Sequence, residues 1–403
     1  MSRFESELRS RLDSLKEDGL YRELRHVNSP QSRQISIEGQ TLLNFSSNDY
    51  LGLANHPALK ESAIQAIESF GGGSGASRLI CGSLAPHQEL EQTLADFKGT
   101  QSALSFSTGY AAAIGTIGAL MRAGDFIILD KLVHACIVDA ARLCGAKLRV
   151  FFHNDLEDLQ RLLLWAGDQG AKRSSSTTGP DSRVLVVTES VFSMDGDQAP
   201  LREIVELKNR HHTWLMVDEA HATGLYGPNR RGLAEEFRVA DQIEVQMGTL
   251  GKAVGAAGGY ICGSRSLIDY LINRARSFIF STAPVPAAAA AATAGIRLIQ
   301  STLGEERRNR LWQLVSSLVN IQDKLPSAII PIQIGDETKA MNAATALRNR
   351  GIFIPAVRYP TVARGRARLR LTLTAGHTNK DLEALQAALA EVGLDRSPAL
   401  PHL

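Results

Sequence analysis

The stretch WLMVDEAHATGLYG, residues 214–227, opens with a short unbroken apolar run, Trp214–Val217, and then turns polar at once. Such a run suits a strand covered on both faces, as in a parallel sheet packed between helices. It ends on Asp218, and a carboxylate at the end of a buried strand is costly unless something pairs with it. His221 follows three residues later. The letters DEAH at 218–221 also occur in ATPases, but those need an upstream phosphate loop, G-x-x-x-x-G-K-[ST]. The Gly-Lys pair here is Gly251-Lys252. Gln246 stands where the first glycine is required, Ala253 follows the lysine, and the pair comes after the DEAH. The ATPase reading fails on all three counts.

The same texture continues on both sides. Ala103–Phe106, Phe126–Asp130, Leu148–Phe152, Val184–Thr188, Glu244–Met247 and Tyr260–Cys262 read as short apolar strands. Pro86–Lys98, Tyr110–Arg122, His134–Cys144 and Leu156–Trp165 read as helices between them. This alternation predicts an α/β fold with a large, mostly parallel sheet. Ahead of it, Phe4, Leu8, Leu12 and Leu15 predict an amphipathic helix over 3–18, and Ile35–Ile37 with Thr41–Phe45 predict a hairpin. Beyond residue 283 the pattern becomes α+β, with helices from Pro286 to about Gln300 and over 305–322, 338–350 and 379–392. Strands are expected at Ile329–Ile334, Ile352–Val357 and Ala367–Thr374. In the last of these Arg368, Arg370, Thr372 and Thr374 alternate with Leu369, Leu371 and Leu373, which predicts an antiparallel strand with one wet face. The expected division is an N-terminal arm (1–45), a large domain (46–283) and a smaller C-terminal domain (284–403). Lys172–Pro180 is polar and of low complexity and is expected to be a mobile surface loop.

Composition narrows the class. The 403 residues carry 44 Lys+Arg against 42 Asp+Glu, a net charge of +2. That balance argues against a nucleic-acid or polybasic membrane binder. The cysteines Cys81, Cys136, Cys144 and Cys262 form no C-x-x-C pair, so neither a zinc ribbon nor a redox pair is expected, and free thiols in a reducing compartment are. The N-terminal stretch is acidic without an apolar run, and no apolar run approaches the ~20 residues of a membrane span, so a cytoplasmic protein is expected. GGGSGA at 71–76 formally fits a dinucleotide fingerprint, yet it follows a helical stretch and not a strand.

The chemistry-bearing residues have plain structural readings one by one. Lys252 after a strand is ordinarily a solvated loop lysine, Asp218 with His221 a local turn, and Ser107-Thr108-Gly109-Tyr110 a helix start. Their order is more specific. A strand-to-helix turn offers backbone N–H groups to a phosphate; His134 comes next, then a carboxylate that could hold a pyridinium N–H. Last comes a lysine among small residues, where desolvation lowers the amine's pKa and lets it form a Schiff base.

On these residues, and on LNFSSNDYLGL (43–53), GSGASRLICG (73–82), VVTESVFSMDGDQAPL (186–201), GTLGKAVGAAGGY (248–260) and ARLRLTLTAGH (367–377), the chain resembles the α-oxoamine synthases. These are pyridoxal phosphate (PLP) enzymes of the aspartate-aminotransferase-like fold type I. PTVARGRARLRLTLTA (360–375) resembles the branch that condenses L-alanine with a pimeloyl thioester, carried by CoA or a carrier protein. Branches using glycine or serine share most of the pattern, and a PLP-holding scaffold without turnover is the reading from a different class.

The resemblance implies that Lys252 carries PLP, Gly109 and Tyr110 hold its phosphate with the Thr249 hydroxyl, and His134 stacks on the ring. Asp218 would pair with the ring nitrogen, and His221 and Ser193 would touch the cofactor's edge. Arg370 would clamp the amino acid's carboxylate, Arg22 and Thr361 would meet the acyl substrate, and Asn48 and Glu189 would lie near the site. Ser281 and Thr282 would reach the phosphate of the neighbouring subunit in a homodimer. Arg22, taken by itself, reads equally as a solvated surface arginine.

Overall fold

The computed structural model describes residues 1–174, 182–319 and 325–394. The strands in chain order are β1 (Gln34–Ile37), β2 (Gln40–Asn44), β3 (Ser102–Phe106), β4 (Phe126–Asp130), β5 (Lys147–Phe151), β6 (Val184–Glu189), β7 (Trp214–Asp218), β8 (Val245–Thr249), β9 (Gly259–Gly263), β10 (Ile329–Gly335), β11 (Ile352–Phe353), β12 (Ala356–Val357) and β13 (Ala367–Thr372). Seven of them form one sheet in the order β3-β9-β8-β7-β6-β4-β5. All run parallel except β9, which is antiparallel to both its neighbours.

Successive side chains of a strand point to opposite faces. Phe126 and Ile128 of β4 accordingly enter one apolar core, with Val186, Leu215 and Val217. Ile127 and Leu129 enter the other, with Leu185, Val187 and Met216. Helices cover both faces, which is why these strands read as unbroken apolar runs. Because the chain enters every strand but β9 from the same side, Phe106, Asp130, Glu189, Asp218 and Thr249 end their strands along one edge. In open α/β sheets that edge is where ligands bind.

Two small three-stranded sheets flank the large one, β1-β2-β11 and β10-β13-β12. The hairpin expected from sequence is β1 and β2, and its second strand pairs in parallel with β11, Leu43 facing Ile352. The arm is thereby built into the C-terminal part of the chain. Ile329, Ile330, Leu369, Leu371 and Leu385 there belong to the same apolar core as one face of the large sheet.

Several expectations shift. β13 is antiparallel to β10 and β12 as expected, but its polar face is not wet. Arg368 and Arg370 are only 3% and 8% exposed, and Thr372 and Thr374 are buried. Arg368 donates to Met194 O at 3.2 Å and pairs with Asp195, so the face is covered by the loop after β6. The helix expected to stop at Trp165 runs over Leu156–Ser174, with Leu159, Leu162, Leu163 and Ala166 buried against the core. Lys172, expected to open a surface loop, is therefore helical, and the rest of that segment, 175–181, lies outside the described residues. The helix expected over 305–322 spans Thr302–Leu318, and 320–324 lie outside the described residues.

His377 closes the C-terminal region. Its Nδ1 accepts from Thr374 N at 3.0 Å, its Nε2 lies 3.1 Å from Asn44 O, and its ring stacks on Phe45. Burial lowers its pKa to about 4. A base whose pKa is depressed on folding binds more protons unfolded between about 4 and its ordinary value of about 6.5, so stability rises with pH across that window. Thermal unfolding of the wild type is expected to shift to lower temperature as pH falls from about 6.5 to 4, and His377→Asn to lose part of that slope. An unchanged slope in the variant would refute the assignment.

Candidate active site

The loops at the carboxyl edge bring most of the expected residues together. Lys252 follows β8 in a turn closed by Gly255 N donating to Lys252 O at 2.8 Å. Its Nζ lies 2.8 Å from His221 Nε2. The other ring nitrogen, Nδ1, lies 2.6 Å from the Tyr50 hydroxyl. Tyr50 is 1% exposed, and its oxygen is 3.2 Å from Asn48 Oδ1 and 3.4 Å from Arg370 Nη2. Arg370 also donates to Asn48 Oδ1 at 3.1 Å and, through Nε, to the Ser193 carbonyl. One buried chain of hydrogen bonds thus joins an amine to a guanidinium. Tyr50 is the residue that sequence reasoning missed. The signal was a phenol inside the apolar run Tyr50-Leu51-Gly52-Leu53, since a buried tyrosine hydroxyl needs a partner.

Asp218 ends β7 and is 5% exposed. Its Oδ1 accepts from Ala220 N at 2.9 Å. Burial raises its pKa, while Lys252, the hydrogen bond from Ala220 N and then His134 pull it back down. Beside it on β6, in register, stands Glu189. Its Oε1 is buried without a hydrogen-bond partner among the described residues. Burial, and the nearby charge of Asp218, push Glu189 well above the usual carboxylate range. Desolvation lowers Lys252, against the attraction of Asp218 and Glu189. Burial, with Lys252 and Arg370 nearby, holds His221 well below the ordinary histidine value, so its ring is neutral. The other acid of the DEAH, Glu219, is structural. It is fully buried in an ion pair with Lys98 and accepts from Ala234 N at 2.8 Å, which anchors the loop carrying Asp218 and His221.

The turn Ser107-Thr108-Gly109-Tyr110 follows β3. Thr108 caps the helix Gly109–Leu120, its Oγ1 accepting from Ala111 N at 3.0 Å. The amides of Gly109 and Tyr110 lie ahead of that bond, where a helix offers no internal acceptor. Gly259 of β9 is required here, for a Cβ on it would lie 2.5 Å from Gly109 N and from Thr108 O. Thr249 ends β8 next to this turn, since a Cβ built on Gly109 would lie 3.9 Å from Thr249 Cβ. The Tyr110 hydroxyl donates to Asp139 Oδ2 at 2.7 Å. His134 caps the helix Ala135–Leu143, its Nδ1 accepting from Cys136 N at 3.3 Å, and the residue is exposed. Arg22 and Thr361 meet each other, Arg22 Nη2 lying 3.5 Å from Thr361 Oγ1. This pair is exposed and, among the described residues, shares no hydrogen bond with the Lys252 cluster. Ser281 is half-buried and Thr282 exposed, and Thr282 bridges to Ser77.

A family model for aminotransferase class I and II matches residues 40–389. The 8-amino-7-oxononanoate synthase of Geobacter sulfurreducens is 45% identical over 95% of this chain and 96% of its own. That of Symbiobacterium thermophilum is 42% identical over 95% and 96%. The chain belongs to the 8-amino-7-oxononanoate synthases of the class I and II aminotransferase family. Among solved structures, serine palmitoyltransferase from S. paucimobilis superposes with a TM-score of 0.86 at 31% identity, covering 96% of this chain and 98% of that one. An 8-amino-7-oxononanoate synthase from Francisella tularensis gives 0.71 at 28%, covering 87% and 98%. The synthase is a PLP-dependent acyltransferase of the α-oxoamine class, with the fold type I architecture expected from sequence. Its residues fit the cofactor. A buried carboxylate suited to a cationic N–H, a desolvated amine and a helix N-terminus converge on one edge of the sheet.

Proposed function

We propose that this chain condenses L-alanine with a pimeloyl thioester, releasing CO2, the free thiol and 8-amino-7-oxononanoate, as part of biotin biosynthesis. The observation that carries the reading is the chain of hydrogen bonds from Lys252 to Arg370, which joins an amine and a guanidinium fork in one cluster. When bound, PLP supplies an electron sink for the carbanion at the amino acid's α-carbon.

This chain's residues divide the remaining work. The amides of Gly109 and Tyr110 and the Thr249 hydroxyl would hold the phosphate, and His134 would stack on the ring. Asp218 would pair with the ring nitrogen and keep it protonated, and His221 and Ser193 would hold the edge. Arg370 grips the alanine carboxylate while Asn48 orients its guanidinium. Lys252, whose pKa desolvation lowers, takes the α-proton at Nζ as general base and returns it after CO2 is lost. His134 is also the candidate to polarise the thioester carbonyl. Arg22 and Thr361 form the acyl-side contact.

A homodimer belongs to the same reading, supported by the helix Arg3–Glu17, which has no buried residue and leaves Phe4 71% exposed. So do the cytoplasmic location and the division at residues 45 and 283. Among the described residues no helix is long and apolar enough to cross a membrane.

Titrating the purified enzyme with L-alanine, glycine and L-serine, followed by pimeloyl-CoA, tests the reading through visible absorbance and thiol release. Alanine is expected to give the productive response. The higher TM-score of the serine palmitoyltransferase favours a serine-using branch as the second reading. Productive thiol release with serine or glycine would move the assignment there. Arg370→Lys keeps the charge but loses the fork. A charge-assisted hydrogen bond contributes roughly 1.5–3 kcal/mol, so KM for alanine is expected to rise about 10- to 100-fold. An unchanged KM would remove Arg370 from the carboxylate site.

A further inference from the structure

Tyr50 has one proton and three neighbours. Arg370 Nη2, at 3.4 Å, can only donate, so it occupies a lone pair of the Tyr50 oxygen. The Tyr50 proton must then point either to His221 Nδ1 at 2.6 Å or to Asn48 Oδ1 at 3.2 Å. Asn48 Oδ1 already accepts from Arg370 Nη1 at 3.1 Å. The shorter contact, to a nitrogen without a competing donor, takes the proton.

We propose that Tyr50 is a positioning residue that locks His221 in one tautomer, with Nδ1 accepting from the phenol and Nε2–H presented to the site. A neutral imidazole carries one N–H, so accepting at Nδ1 puts the proton on Nε2. Nε2 faces Lys252 Nζ at 2.8 Å. The lock therefore offers a donor to the lone pair of a free amine, or to any oxyanion at that spot, and denies an ammonium its acceptor. The reverse arrangement, Nδ1–H donating to Tyr50, would send the phenol proton to Asn48 and favour a protonated lysine. The surrounding groups suit the neutral ring. Lys252, Arg370 and His134 act on His221, while Asp218, Glu189, Arg370 and Cys136 act on Lys252, and Tyr226 is near Tyr50.

This deepens the proposed function, because it rests on Lys252 and Arg370 acting at one site. Its test is independent of which amino acid reacts. The PLP-loaded enzyme is labelled with 15N-histidine, and the His221 ring is assigned by comparison with His221→Asn. The wild type is expected to show an unprotonated Nδ1 and a protonated Nε2. Tyr50→Phe is expected to lose this single signature and populate the Nδ1–H form. A wild-type ring protonated at Nδ1, or a Tyr50→Phe ring unchanged from wild type, would overturn the proposal. Should Tyr50→Phe fail to fold, Asn48→Ala serves. It removes the competing acceptor and is expected to keep the Nε2–H form, whereas a switch to Nδ1–H would overturn the lock. If alanine proved not to be the substrate while the tautomer held, only the functional reading would fall.

Discussion

Replacing Lys252 by alanine is expected to abolish the visible Schiff-base absorbance of the purified enzyme and to lower turnover by at least about 10⁴-fold, the upper range for a lost general base. Two functions leave with one side chain, the covalent hold on the cofactor and the amine that moves the α-proton. The fold is expected to stay. The turn around Lys252 is held by backbone bonds, Gly255 N to Lys252 O and Ala256 N to Leu250 O, and Nζ itself meets only His221 by hydrogen bond among the described residues. Added methylamine is expected to restore part of the turnover, because a small primary amine can enter the space and accept the proton. Retention of the absorbance band in the variant would end the reading of Lys252.

The second large effect is expected for Asp218→Asn, which keeps the shape of the side chain and removes its charge. The amide oxygen that takes the place of Oδ1 can still accept from Ala220 N, so the end of β7 should not move. The ring nitrogen loses the anion that keeps it protonated, and turnover is expected to fall about 10³-fold, in the range of a lost electrostatic stabiliser in a water-poor site. Stability is expected to go the other way. Asp218 is buried beside Glu189, and burial raises the pKa of both. Relieving a buried like-charge neighbour offsets some of the cost of that site. Asp218→Asn should therefore unfold at the same temperature as the wild type or higher when both are stripped of cofactor. A large loss of both stability and turnover would make Asp218 a structural carboxylate.

Those two residues stood out in the sequence through their order after the strand-to-helix turn and His134, since each alone has a plain structural reading. Asp218 terminates an apolar run at a place where a charge is expensive, and Lys252 stands among glycines and alanines just beyond the next strand. The strands were legible for a related reason, since burial on both faces leaves an unbroken apolar signature. The polar face of β13 was not. Alternation of Arg368, Arg370 and Thr372 with leucines is what a solvent-facing strand looks like, and only the approach of the loop after β6, with Ser193, Met194 and Asp195, turns that face inward.

Hydrophobic periodicity thus predicted the strands and the mostly parallel sheet, and the order of the reactive residues pointed to Lys252, Asp218, His134 and His221 as candidates. The strands are properties of short segments, where spacing along the chain fixes which face a side chain takes. Tertiary structure alone decided what Tyr50 does. Its partners, His221 and Arg370, lie 171 and 320 residues away along the chain, and a hydrogen bond's direction depends on which donors and acceptors meet at one atom. No pattern within a segment encodes that meeting. It arises when the loop after β2, the turn after β7 and strand β13 close on the same buried space.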